Sequence, residues 1–255
     1  ADISKWMHSN HLKLNHGKTE FLVLCSKYND CRVENVSSIK IGESLITNSK
    51  SARNIGAILD THMSMVDQIN SICRSCYPHI RSIGRIRHLI TKSAAEKLVH
   101  AFISSRLDQN NSLLYGIPML HIRKLQRVQN HAARIVTLTA KYVHISPVLK
   151  ELHWLPVIFR IRYKILLLTF KCIHGLAPSY LSGLITVYKP ARELRSQNKV
   201  TLRRSNFTNN SYGYRAFQTC APQLWNELPD DIQICDNVNS FKSLIKTHLF
   251  RIAFD

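Results

Sequence analysis

From Ile69 onward, apolar residues recur at helical intervals. Ile69, Ile72, Cys73, Cys76, Ile80 and Ile83 are separated by 3, 1, 3, 4 and 3 positions, which keeps them on one face of a helix. Pro78 falls inside this pattern and predicts a kink or a break. A second helix is predicted from Ser93, an N-cap residue with Glu96 three positions on, through Leu98, Val99, Phe102, Ile103 and Leu107. Tyr115-Gly116-Ile117-Pro118 interrupts the pattern, and a third helix carries Leu125, Val128, Ala132, Ile135 and Val136. Three amphipathic helices with short joints predict a helical bundle over 61–140.

Before this bundle the period is two. Ile39 and Ile41 alternate with Ser38 and Lys40, Gly42-Glu43 marks a tight turn, and Leu45-Ile46 begins a return strand. Strands at Phe21 to Cys25 and Asn54 to Leu59 would complete a small sheet, so 1–60 reads as mixed α/β. Beyond about Lys141 the texture changes again. A Pro-interrupted entry (Pro147, then Leu152-His153-Trp154-Leu155-Pro156) leads into a strongly apolar helix around Ile158 to Ile173, followed by a Gly175/Pro178 break. A polar, basic stretch from Lys189 to Asn210 reads as loop, and a last piece holds Trp225 and a helix from Phe241 to Phe250. The fold class is therefore α+β and mainly helical, with the fold of 141–255 left open.

Charge sharpens the picture. The 255 residues are 45% hydrophobic, ordinary for a folded protein, but 35 Lys+Arg stand against 16 Asp+Glu, a formal +19. A surface that follows a phosphate backbone needs such an excess, and mixed solvation does not. Arg123, Lys124, Arg127, His131 and Arg134 recur at helical spacing opposite Leu125, Val128 and Ala132. Arg74, Arg81 and Arg85 do the same on the first helix, and no acid stands between Asp108 and Glu151. An ordinary solvated face interleaves Glu; these faces point to nucleic acid held without sequence readout. A membrane is not an expected partner, because the basic residues are scattered rather than set beside an apolar face. The longest apolar run, Ile165 to Phe170, is far short of the ~20 residues a span requires. Seven widely spaced cysteines suggest reduced thiols and an intracellular site, with nucleus and cytoplasm both open.

Candidate chemistry is sparse. Cys73-x2-Cys76 with His79 and His88 has the spacing of half a zinc site, but there is no second Cys pair, and both cysteines lie on the apolar stripe. Asp230-Asp231 is the only adjacent acidic pair. A polymerase-type site places its carboxylates at a hairpin tip, whereas Pro229 here predicts a helix N-terminus. No metal site is assigned. No Gly-x-Ser-x-Gly elbow or Gly-rich phosphate loop occurs, and His153-Trp154 reads as a packed junction. Lys18 sits in a charged turn.

One resemblance runs the length of the chain. Trp6, Asn10, Leu12, Leu14, Asn15 and Lys18-Thr19-Glu20, then Asn54-Ile55-Gly56-Ala57-Ile58-Leu59-Asp60, are similar in order to the stretch after the catalytic aspartates in reverse transcriptases of non-LTR (LINE-type) retrotransposons. Ser105-Arg106-Leu107-Asp108 with Asn111-Ser112-Leu113-Leu114-Tyr115-Gly116, and Leu125-Gln126-Arg127-Val128-Gln129-Asn130 with Ala132-Ala133-Arg134, resemble further blocks of these elements. So do Leu152 to Val157 with Arg160-Ile161 and Lys164-Ile165, Ala177 to Leu181, Leu194-Arg195-Ser196, Tyr212 to Phe217 and Leu224 to Pro229. Gln109-Asn110 depart from the pattern, standing where an aromatic and a cysteine are usual.

The resemblance implies the end of a palm in 1–60, a thumb in 61–140 and the C-terminal region of the polymerase in 141–255. It implies a primer-grip region at Asn54, Ile55 and Gly56, and a role for Lys18 as general acid to the leaving pyrophosphate. It also implies partners: RNA, RNA–DNA or DNA duplex, and the upstream palm and fingers, whose aspartates would hold Mg. On this reading the chain is a polymerase fragment that is inactive alone. A stand-alone nucleic-acid-binding protein derived from such an element, or an inert remnant, are the alternatives.

Overall fold

The computed structural model describes residues 2–13, 15–26, 36–41, 44–188, 200–204 and 212–255. The turn expected at Gly42-Glu43, Leu14, the Leu194-Arg195-Ser196 block and most of the 189–210 stretch lie outside them. Among the described residues the protein is mainly helical with two small antiparallel sheets, an α+β composition. The chain divides into two compact units, Ala1–Asn70 and Ser71–Asp255.

In the first unit, α1 (Asp2–Ser9) ends where His11 turns left-handed at φ 55. The Leu12 amide then reaches back to the Met7 carbonyl (2.8 Å) and the His11 amide to that of His8 (3.1 Å), a Schellman closure. A 3-10 turn follows at His16–Lys18. The strand expected over Phe21 to Cys25 is not formed. Its backbone is bonded instead to scattered partners: Phe21 bridges Asn48, the Val23 amide donates to the Asn48 side chain (3.3 Å), and the Cys25 amide donates to the Thr61 carbonyl (2.9 Å). Without a continuous edge opposite it, no ladder propagates.

The single sheet expected here is two separate hairpins: β1 (Ser38–Ile41) with β2 (Ser44–Thr47), and β3 (Ser51–Asn54) with β4 (Ala57–Asp60). Ile39 faces Ile46, which is buried, while Leu45 points outward. Asn54 to Leu59 is therefore not one strand, because the chain reverses at Ile55-Gly56. Asp60 then closes the unit's last loop, accepting bonds from the backbone of His62 (3.1 Å), Ser64 (2.9 Å) and Met65 (2.8 Å) and from the Ser64 hydroxyl (3.1 Å).

α2 (Val66–Ile86) runs unbroken through Pro78. Pro78 sits on the exposed face, so its ring meets solvent while Ile72, Cys76, Ile80 and Ile83 bury the opposite stripe. α3 (Lys92–Val99) starts two residues earlier than expected, with Thr91 rather than Ser93 as its cap; the Thr91 side chain accepts from the Ala94 amide (3.2 Å). A π-helical turn, His100–Ser104, joins it to α4 (Ser105–Asp108). Gly116, at φ 70, ends the next 3-10 turn. A Cβ there would come within 2.6 Å of Arg215 and 3.3 Å of the Tyr214 ring, so the backbone reversal and the packing both demand glycine. α5 (Met119–Thr137) and α6 (Ile145–Glu151) follow.

α7 (Val157–Ile173) is the apolar helix that the sequence announces, and it is the centre of the second unit. It packs on α4, α5, α9 (Phe217–Asn226) and α11 (Val238–Phe254). Phe170 stacks on Phe241 at 4.3 Å between ring centroids, Phe241 lies 5.7 Å from Trp225, and none of the three rings reaches solvent. The short α8 (Ser179–Ser182) and α10 (Asp230–Gln233) complete the unit. Asp230 and Asp231 open α10 directly after Pro229, at the helix N-terminus. Phe241→Ala should destabilise the second unit by about 3–5 kcal/mol through the cavity it leaves. A lowered urea midpoint with an unchanged slope is the expected readout.

Candidate nucleic-acid interface

The basic residues singled out by spacing fall on α5 and on the part of α2 from Ser71 onward, which lie against each other within the second unit. Tyr77 meets His131 at 5.7 Å between rings, and Gly84 lies against Ile135. On α2 the row Arg74, Arg81, Arg85 runs next to this seam, on the side away from buried Ile72, Cys76, Ile80 and Ile83. On α5, Arg123 and Arg127 occupy the side away from buried Leu125, Val128 and Ala132. Both rows thus border the seam on its solvent side. All five arginines are exposed, and none forms an ion pair with a described residue.

Charge from α5 is felt on α2. Burial pushes the Tyr77 hydroxyl above its usual range and the Arg127 charge works against that; Lys124 does the same for the Cys73 thiol. Cys76 is fully buried and its thiol is pushed up to about 11, chiefly by that burial, so it packs as a small apolar residue.

Arg134 differs from its neighbours. Its Nη2 donates to the Val143 carbonyl (2.8 Å) and its Nε to that of Ala140 (3.4 Å), so it braces the loop after α5. The unpartnered basic surface of α5 is therefore carried by Arg123 and Arg127. Lys124, half-buried, has contacts of its own. Sequence reasoning missed Arg87 altogether. Its guanidinium is buried at the end of α5 and donates to the carbonyls of Ile135 (3.1 Å), Val136 (2.8 Å from Nη2) and Ile90 (2.8 Å). A cation at a helix C-terminus satisfies its orphan carbonyls and meets the negative end of the dipole. Nothing in the run Arg85-Ile86-Arg87-His88 distinguishes it from the exposed arginines.

In the first unit, Lys18 is exposed at the end of its 3-10 turn, and its amide donates to the Asn15 carbonyl (3.1 Å). Glu20, two residues on, accepts from the Arg53 amide (2.9 Å), tying this segment to β3 beside the hairpin tip. Asn54 pairs with Ala57 across that tip. Ile55 and Gly56 both have positive φ, 46 and 80, as a tight two-residue turn requires. A β-branched residue is a rare choice there, and Ile55 is 86% exposed. Strain of this kind costs about 1–3 kcal/mol and is most often kept where a tip has work to do.

The fit of this donor set to a polymerase metal pair is poor. Among the described residues no group of three His, Cys, Asp or Glu is placed to share an ion, and Asp230-Asp231 are committed to a helix start. No helix among them is long and apolar enough to cross a membrane. Comparison with protein-family models, with curated proteins and with solved structures gave no match.

Asp60 supplies a pH prediction. Burial raises its carboxyl pKa, but the bonds from Ser64, Met65 and His62 outweigh this and hold it below its ordinary 3.8. A depressed folded value means that the stabilisation is present above about pH 4 and is lost as pH falls through the folded pKa. Amide protection at Ser64 and Met65 should fall with acid in this window, and Asp60→Asn should weaken it at neutral pH and remove the acid dependence.

Proposed function

We propose that this chain is the template–primer-gripping part of an RNA-directed DNA polymerase of the non-LTR retrotransposon type, following its catalytic aspartates. The observation that carries the nucleic-acid half of this reading is the pair of arginine rows along the α2–α5 seam, without acid partners among the described residues. The polymerase half rests on the ordered blocks from Trp6 to Pro229.

On this reading 1–60 is the end of a palm, with the Asn54–Gly56 tip near the primer end, and the α2–α5 face is a thumb that follows a duplex backbone. Lys18 would protonate the leaving pyrophosphate, a task suited to an exposed lysine beside phosphate. On the same reading, magnesium would be held by aspartates of the upstream palm and would neutralise the leaving pyrophosphate. A non-enzymatic nucleic-acid-binding protein would use the same face, since the second unit carries it on its own core; primer extension on an RNA template separates the two. The chain alone should add no nucleotides. Template-dependent extension above a buffer control would overturn the assignment of the metal carboxylates elsewhere.

Binding should be independent of sequence, with log affinity falling against log salt by about 0.9 per phosphate contact on B-form DNA. Arg123→Ala with Arg127→Ala should weaken all sequences alike and flatten that slope by up to about two units. Arg134→Ala should leave the slope unchanged and lower the melting temperature, because its bonds are internal. A slope equal to the parent's in the folded double variant would remove α5 from the interface.

A further inference from the structure

α5 ends in a loop that its own last arginine builds. Leu138 turns left-handed at φ 56, the Thr139 amide returns to the Arg134 carbonyl (3.1 Å), and the Val143 amide donates to the Ala140 carbonyl (3.2 Å). That last bond closes a tight turn with Lys141 and Tyr142 at its centre. The Arg134 guanidinium donates to the carbonyls at both corners, Val143 (2.8 Å) and Ala140 (3.4 Å), so the turn is clamped at its two ends. Its central side chains stand in solvent: Lys141 is exposed and Tyr142 is 88% exposed.

The clamp also fixes where this turn lies. Arg123, Arg127 and Arg134 fall within about 40° of one another around α5, on one stripe. Arg134 stands about 10 Å beyond Arg127 along that stripe, and its side chain reaches the turn. The turn therefore continues the row of Arg123 and Arg127 at the C-terminal end of α5. Lys141 adds a cation with no ion-pair partner among the described residues, and exposed His144 follows at the start of α6. An aromatic ring this exposed adds almost no burial to the fold, while an ordered turn lets it meet a partner at low entropic cost.

We infer that the Lys141-Tyr142 turn is a stacking platform for an unpaired base, placed where a duplex lying along α5 gives way to single strand, an assignment that rests on the duplex grip proposed above. Inside a duplex each base is covered on both faces by its neighbours, so an exposed ring beside it finds no surface to stack on. An unpaired base has a bare face, and every base type has one, which suits a surface that reads no sequence. Tyr142 takes that face, and Lys141 holds the adjoining phosphate.

The test uses the full chain and two RNA–DNA duplexes with four-nucleotide single-stranded extensions, one of ordinary nucleotides and one of abasic residues. The two carry equal phosphate charge and differ only in the bases. The parent chain should bind the base-bearing extension about fivefold or more tightly. Tyr142→Ala should abolish that preference, and Tyr142→Phe, which keeps the ring, should preserve it. Arg123→Ala with Arg127→Ala should weaken both duplexes and leave the preference unchanged. Equal affinity of the parent for the two duplexes overturns the inference, and so does a preference that survives Tyr142→Ala or is lost in Tyr142→Phe. Binding to phosphatidylserine vesicles that Tyr142→Ala removes, with no preference between the duplexes, assigns the turn to an anionic membrane and overturns it too. In each of these results, duplex binding with its salt dependence intact leaves the proposed function standing. Absence of binding to either duplex removes the proposed function, and this inference with it.

Discussion

Burial of α7 on several sides is the constraint on which the second unit depends. The helix offers Ile161, Ile165, Leu166, Thr169 and Phe170 to its surroundings in more than one direction, and each is essentially solvent-free. An apolar helix of this kind must be covered by several partners rather than one. α4, α5, α9 and α11 supply that cover, which is why residues far apart in the chain share one core. Even the polar Thr169 is accommodated, its hydroxyl returning to the Ile165 carbonyl (2.9 Å).

Around this core, polar side chains do the positioning by satisfying backbone. Gln129 donates to the Leu155 carbonyl (2.8 Å) and Gln126 accepts from the Val157 amide (2.9 Å), so α5 fixes the entry to α7. Arg160 donates to that same Leu155 carbonyl (3.0 Å) and to Asp108 (2.6 Å). Gln233 ties α10 to the Trp225 and Leu228 carbonyls (both 2.9 Å). Three of the sequence blocks behind the proposed polymerase reading, those holding Asp108, Gln126 and Leu155, are thus joined to one another by hydrogen bonds. Part of their character is accounted for by folding alone, before any function is invoked.

This division of labour explains how a basic surface coexists with a stable fold. Three acids of the second unit are spent locally: Glu151 with Lys92, Asp255 with Lys150 (2.9 Å), Asp108 with Arg160. Buried Arg87 finds carbonyls instead of carboxylates. What is left over is a set of exposed arginines whose mutual repulsion a polyanion would relieve. That surplus is the physical content of the proposed duplex grip.

The helices were legible because their signal is local and repeated: the stripe on α2, the third helix from Leu125 to Val136, and the apolar run of α7 each declare a face over several turns. The α2 stripe even outweighed Pro78, whose exposed position costs the helix less than a buried break would. The acidic pair at Asp230 was readable as a helix start from Pro229 alone. Strand pairing was not legible, since four-residue strands carry too few positions to set a register, and the reversal at Ile55-Gly56 uses a residue that sequence rules assign to strands. The fate of individual charges was beyond the sequence as well. Arg87, Arg127 and Arg134 have similar local contexts; only the tertiary structure decides which guanidinium meets helix carbonyls, which braces a loop and which faces solvent. Buried Asn111, whose Oδ1 has no hydrogen-bond partner among the described residues, has the same origin, because a hydrogen bond left unmade is a property of everything packed around it.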